Sequence, residues 1–235
     1  MDVIISQGHY PPANPSGITV VIDVIRAFTT AHYAFDGGVS RIHLVATAPE
    51  ALKLKSAQPD LLLSGEIDAL PIAGFDFGNS PWEIEQASLA GRELVQRTTN
   101  GVAATLRARD SAEVLVAGLI NAEATARYIL NQCSLKQHPQ KVSLIASHPT
   151  GDEDVACAQY IRTLLLDSSN DGTDNAVTLE QASARTLNAY AAGKFFDGTH
   201  PRLRGEDIVM AANSAGDHGR VMIVNYSPSP IITSL

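Results

Sequence analysis

Asp23 ends the apolar run Thr19-Val20-Val21-Ile22, and Arg26 follows three residues later at the expected start of a helix. A carboxylate in that place can hold Mg²⁺ or attack phosphorus, and an arginine can grip two phosphate oxygens with its planar fork. The same two side chains can equally close a strand-to-helix turn as a structural ion pair. Glu66 ends a second apolar run, Leu61-Leu62-Leu63-Ser64-Gly65-Glu66, in which Gly65 lets another backbone or a ligand come close. Glu66 offers a second hard oxygen ligand, or it opens the solvated loop 67–71.

Two loops add hydrogen-bonding groups suited to an anion. In Gly74-Phe75-Asp76-Phe77-Gly78-Asn79-Ser80-Pro81, Asn79 and Ser80 precede a proline-marked helix start, where free backbone N–H groups meet the positive end of the helix dipole. Ser80 is expected to cap that helix in any case, and Phe75, Phe77 and Trp82 to pack. In Arg97-Thr98-Thr99-Asn100-Gly101, two hydroxyl residues end a strand and Asn-Gly turns at once towards a helix, a nest for phosphate oxygens or a water. Asp152-Glu153-Asp154 begins another helix and is stabilised there by the dipole, with Asp154 a third oxygen ligand to consider.

The elements that must position these groups read as an α/β alternation. Eight short Val/Ile/Leu-rich runs are expected as strands, at 3–7, 19–24, 41–47, 61–66, 93–99, 113–119, 141–147 and 220–226. Helix starts are marked at Thr47-Ala48-Pro49-Glu50, at Ser80-Pro81-Trp82-Glu83 and at Thr178-Leu179-Glu180-Gln181, each a capping hydroxyl with an acid or amide three residues on. Gly193 is the expected stop of the last. Helical spacing puts Ala122, Ala126, Ile129 and Cys133 on one face and Val155, Ala158, Ile161 and Leu165 on another. The expected fold is a single α/β domain over 1–235, three-layer α/β/α, with a mixed, largely parallel sheet of about eight strands. Segment 167–174 is polar and aperiodic and reads as a mobile excursion from the core, and the proline-rich loop 10–17 as extended. In such a sheet ligands bind beyond the carboxyl ends of the strands, which is where Asp23, Glu66, Thr98 to Gly101 and His148 fall.

Composition narrows the function classes. The 235 residues are 45% hydrophobic and 18% charged, enough for a full core. A net charge of −8 opposes general attraction to nucleic acid or to an anionic membrane, so an anionic ligand must be caught by a few placed groups. Cys133 and Cys157 lack Cys-x-x-Cys spacing and read as core residues in a reducing compartment. The start of the chain carries no basic and apolar leader, and no run approaches the roughly 18 apolar residues of a membrane span. The expected setting is the cytoplasm. Walker A, Gly-x-Gly-x-x-Gly, His-Glu-x-x-His and Gly-x-Ser-x-Gly patterns are all missing, which counts against ATP, NAD, zinc and esterase chemistry.

Taken in order, the blocks 20–27, 64–66, 74–81, 97–101 and Glu153-Asp154 resemble the 2-phosphosulfolactate phosphatase family, over about residues 18–160. The resemblance implies a Mg²⁺-dependent phosphatase of mixed α/β architecture that hydrolyses 2-phospho-3-sulfolactate to 3-sulfolactate and phosphate, on the route to coenzyme M. Family members often carry a basic residue two positions beyond the Asn-Gly turn, where this chain has Ala103; Arg97, Arg107 and Arg127 are the candidates to replace it.

The reading that joins both lines is a phosphomonoester hydrolase acting on a small anionic substrate. Asp23, Glu66 and Asp154 are its candidate metal ligands, with Asp23, Arg26 and Asn100 the candidate catalytic groups. Arg26, Asn79, Ser80, Thr98, Thr99, Asn100 and Gly101 are its candidate substrate contacts. A homodimer is expected from chain size alone. Two other readings stay open: the same fold acting on a different small phosphoester, and a non-catalytic anion-binding module.

Overall fold

Every position of strand β2 (Ile18–Ile22) is buried, as the unbroken apolar run requires of a strand covered on both faces. In the computed structural model, which describes residues 1–11, 17–135, 141–167 and 176–235, β2 lies between β8 (Lys141–Ala146) and β7 (Glu113–Ala117). Both pairings are parallel, and β1 (Asp2–Gln7) adds to β8 in the same sense. A second parallel set joins β3 (Arg41–Leu44), β6 (Glu93–Arg97) and β4 (Leu62–Ile67). An antiparallel hairpin, β9 (Met222–Asn225) and β10 (Ile231–Ser234), bridges the two sets through β7 and β3. The short β5 (Leu70–Pro71) completes the order β1-β8-β2-β7-β9-β10-β3-β6-β4-β5.

All eight expected strands are present, with their carboxyl ends one to three residues short of expectation except at 3–7, which ends at Gln7 as expected, and at 61–66, where the strand runs on to Ile67. Among the described residues the sheet has ten strands, not about eight. β5 is two residues long, too short for a pattern of its own, and β10 forms by pairing antiparallel with β9 and β3.

Helix α1 (Ala27–Asp36) buries Phe28, Ala31, Ala34 and Phe35 against residues from both sets, among them Val21, Ile42, Leu94, Val116 and Ile232. Five strand spacings separate β2 from β6, roughly 24 Å in a flat sheet. Yet Gln96 of β6 donates from its side chain to the Ala27 carbonyl at 2.9 Å, so the sheet curls around α1. That curl brings two distant strand ends to one place. α3 (Pro81–Glu85) and α4 (Gly101–Arg107) share the α1 face. On the other face lie α2 (Ala48–Ala57), α5 (Ala122–Leu135) and α6 (Asp152–Asp167). The layers are α/β/α.

The hydroxyl caps hold as read at Thr47 and Thr178, both complete capping boxes. At α3 the Ser80 hydroxyl accepts the Glu83 N–H, but the Glu83 carboxylate turns to the Gly78 N–H instead of reaching back to the cap. Gly193 does not stop a helix. α7 (Leu179–Leu187) ends at Asn188, and Gly193 lies inside α8 (Tyr190–Phe196), which α9 (Gly205–Ala211) follows. Most of the two irregular segments expected at 10–17 and 167–174 falls outside the described residues. Neither cysteine forms a disulfide, and among the described residues no helix is long and apolar enough to cross a membrane.

One buried titratable group outside the strand ends makes stability pH-dependent. His32 of α1 accepts the Arg220 N–H at Nε2, so its proton sits on Nδ1, 3.3 Å from Asp36 Oδ2 but outside hydrogen-bond geometry. Burial lowers its pKa from 6.5, outweighing the Asp36 charge. The unfolded chain therefore binds the proton first, and the contribution of His32 is present above pH 6.5 and is lost as pH falls through that range. The thermal midpoint is expected to drop more steeply between pH 7.5 and 5.5 in the wild type than in His32→Gln; equal slopes in the two would contradict this.

Candidate active-site crevice

The curl of the sheet lets one side chain bind the starts of two helices. Asp23, in the turn after β2, accepts the Ala27 N–H at Oδ1 (3.0 Å) and the Gly101 N–H at Oδ2 (2.8 Å), the first residues of α1 and α4. Gly101 is needed there, because a Cβ would stand 2.7 Å from Asp23 Oδ2 and 2.9 Å from its Cβ. Two helix N-termini favour the carboxylate, but burial prevails and raises its pKa to about 6, with Glu66 and Glu153 adding repulsion.

Asp23 is one wall of a cavity of about 360 Å³ at the carboxyl ends of the strands. Arg26, Glu66, Asn79, Thr99 and Asn100 also line it, so six of the ten site residues read from the sequence meet in one place. Glu66 accepts the Thr99 N–H at Oε1 (2.6 Å) and the Ala69 N–H at Oε2 (2.7 Å), tying the β4 end to the β6 end. Asn79 is 4% exposed and its Oδ1 has no hydrogen-bond partner among the described residues. The Asn100 Oδ1 meets His9 Nε2 at 2.8 Å.

The other four stand behind the wall. Asp154 accepts the Val24 N–H at Oδ1 (2.8 Å) and the His148 N–H at Oδ2 (2.9 Å), clamping the turn after β2 to the turn after β8. Burial raises its pKa well above the usual carboxylate range, with Asp23 and Glu153 adding to the effect. Ser80 donates to Asp207 Oδ1 (2.6 Å), and the Thr98 hydroxyl accepts the Val102 N–H (3.1 Å) as a cap on α4. Gly101 serves Asp23.

Arg26 is anchored, not loose. One end of its guanidinium donates to Asp207 Oδ2 (2.6 Å), the other to the Ala69 carbonyl (2.9 Å), and its plane lies 4.5 Å over the Phe195 ring. Asp207 is fully buried and also accepts the Trp82 N–H at 3.2 Å. Sequence reading did not find Asp207, Phe195, Lys194, Asp68 or His9. Asp207 sits in the first turn of α9, where an acid is ordinary, and no local signal links it to Arg26 at a separation of 181 residues. His148 lines the cavity; burial lowers its pKa, and its Nδ1 accepts the Thr150 N–H, which leaves the proton on Nε2.

None of the three arginines proposed to replace a basic residue at Ala103 lines the cavity. Arg97 donates to the Glu66 carbonyl, Arg107 lies 4.9 Å over the Tyr10 ring, and Arg127 pairs with Asp217.

Fold and cavity together describe an α/β protein with a charge-lined cavity at the carboxyl ends of its strands. The chain belongs to the 2-phosphosulpholactate phosphatase family, whose model matches residues 5–211. It is 43% identical over 209 residues to a probable 2-phosphosulfolactate phosphatase of Bacillus subtilis, covering 89% of this chain and 88% of that one. A protein of the same name from Deinococcus radiodurans is 37% identical over 167 residues, 69% of this chain and 65% of its own. One from Clostridium acetobutylicum is 32% identical over 187 residues, 77% of each.

Proposed function

We propose that this chain hydrolyses 2-phospho-3-sulfolactate to 3-sulfolactate and phosphate with the help of Mg²⁺, a step that leads towards coenzyme M. The observation that carries the reading is the meeting of Asp23, Glu66 and the anchored Arg26 along one cavity, in a member of this family.

The residues fit Mg²⁺ in its usual protein mode, held by one or two carboxylates while waters and substrate phosphate complete the shell. Asp23 is a buried carboxylate whose raised pKa reflects burial and nearby negative charge, and the Asn79 Oδ1 is an oxygen still wanting a partner. Asp23 and Glu66 would hold the ion. Asp154, whose oxygens clamp two turns, would keep Asp23 in place from behind. Among the described residues no three His, Cys, Asp or Glu side chains are placed to hold a metal together, so the expected three-carboxylate set of Asp23, Glu66 and Asp154 does not form. When bound, Mg²⁺ supplies positive charge against the phosphoryl oxygens as negative charge shifts between them.

The remaining work falls to the chain. Arg26 lines the cavity and has five N–H donors, of which the bonds to Asp207 and Ala69 use some and leave others for the ester. The Nε2–H of His148 can donate to a phosphoryl or leaving-group oxygen, and Thr99 and Asn100 orient the ester from the turn before α4. In this reading Asp23 holds the ion: each of its oxygens accepts one helix N–H group and keeps a further lone pair for it; trapping of an aspartyl-phosphate in quenched reactions would overturn that assignment.

Arg26→Lys is expected to keep the fold and to lose at least about tenfold in kcat/KM, because an ammonium cannot bridge Asp207 and Ala69 while stacking on Phe195. Steady-state kinetics check this, and near-normal turnover would remove Arg26 from the phosphoryl site. The function itself is tested by phosphate release from a panel of small phosphomonoesters with and without Mg²⁺. Preference for 2-phospho-3-sulfolactate is the expected result. Release from another ester alone would keep the chemistry and discard the substrate, and anion binding without release would favour a non-catalytic module.

A further inference from the structure

Lys194 is the lining cation that the fold leaves uncommitted. With Ala191 and Phe195 it occupies one face of α8, at the i, i+3, i+4 spacing, and that face forms part of the cavity wall. The charge of Arg26, the other lining guanidinium or ammonium, is already matched by buried Asp207 at 2.6 Å. Lys194 forms no ion pair among the described residues; its Nζ lies 5.8 Å from the centre of the Phe195 ring. The residue is exposed, and its charge is felt by His148 at the cavity wall and by the buried Glu153.

Lys194 lines the same cavity as Asp23, Glu66 and Arg26 but takes no part in the hydrogen bonds that tie those three to the fold. A cavity of about 360 Å³ falls in the range of small-molecule sites, which run from roughly 300 Å³ upward, and has room for more than a phosphoryl group. In a chain of net charge −8, an unpaired cation at the mouth of an acid-lined crevice matches a second negative group on the ligand.

We infer that Lys194 is a specificity-determining residue, its ammonium receiving a second acid group, sulfonate or carboxylate, carried on the same short carbon skeleton as the phosphoester. The inference rests on the phosphatase reading and adds a selection rule to it: substrates are small polyanions, and esters with the phosphoryl group as their sole anion are discriminated against. Ground state and transition state carry the second acid group alike, so the interaction contributes mainly to KM.

The test compares wild type, Lys194→Ala and Lys194→Arg with 2-phospho-3-sulfolactate and with glycerol 2-phosphate, which has no second acid group. The ratio of the two kcat/KM values is expected to fall at least about tenfold in Lys194→Ala, through KM for the sulfolactate ester, and to stay within about threefold in Lys194→Arg. Calorimetric binding of 3-sulfolactate, which needs no turnover, is expected to weaken at least about tenfold in Lys194→Ala. An unchanged ratio and unchanged 3-sulfolactate affinity in a folded Lys194→Ala would overturn the assignment of Lys194 while the phosphatase reading stood. A wild type that neither binds 3-sulfolactate nor releases phosphate from either ester would overturn both.

Discussion

Asp23→Asn is expected to lower kcat/KM by about 10²–10³-fold or more, the range seen when one preorganised electrostatic group is removed from a transition state. The amide keeps the shape but not the charge, and it can accept only one of the two N–H groups of Ala27 and Gly101. Its NH₂ must face the other donor, a mismatch of about 1–3 kcal/mol. Removal of the Asp23 charge, whose burial raises the pKa to about 6, offsets that mismatch, so the thermal midpoint should move little while turnover collapses. A parallel loss of both would identify Asp23 as a structural staple and no more.

Asp207→Ala carries the largest expected effect on stability. It leaves the Arg26 guanidinium, 4% exposed, without its buried counter-charge, and it strands the Ser80 hydroxyl and the Trp82 N–H. Breaking a buried pair on one side costs about 3–5 kcal/mol, and in a chain of this size each kcal/mol is worth about 2–4 °C. The midpoint is therefore expected to fall by roughly 6–20 °C, measured by calorimetry. Replacing both partners, as in Arg26→Met with Asp207→Leu, should recover much of that stability, since an apolar pair of similar volume often matches a buried ion pair. It should recover no activity. A double variant as unstable as the single one would mean that the Ser80 and Trp82 contacts, not the ion pair, dominate at Asp207.

Local rules made the strands and the helix starts legible: unbroken Val/Ile/Leu runs for strands buried on both faces, and capping hydroxyls at Thr47, Ser80 and Thr178. They also located Asp23, Glu66 and the Thr99-Asn100 turn, because strand ends collect polar residues in any parallel sheet. What they could not supply was the curl of the sheet around α1, which alone brings Gly101 to Asp23. Asp207, Phe195 and Lys194 were missed for a related reason. They arrive from the C-terminal helices and act on the site only through contacts far away in sequence. Gly193 was misread because a glycine can be tolerated inside a helix, and the chain broke instead at Asn188.

The most direct measurement follows phosphate release from 2-phospho-3-sulfolactate by wild type and Asp23→Asn, each in Mg²⁺ and in EDTA. Release by the wild type in Mg²⁺, falling about a hundredfold or more in EDTA and equally low for Asp23→Asn in either condition, is the predicted result. Equal release by wild type and Asp23→Asn, or release indifferent to EDTA, would contradict a phosphoryl site built on Asp23 and a divalent cation.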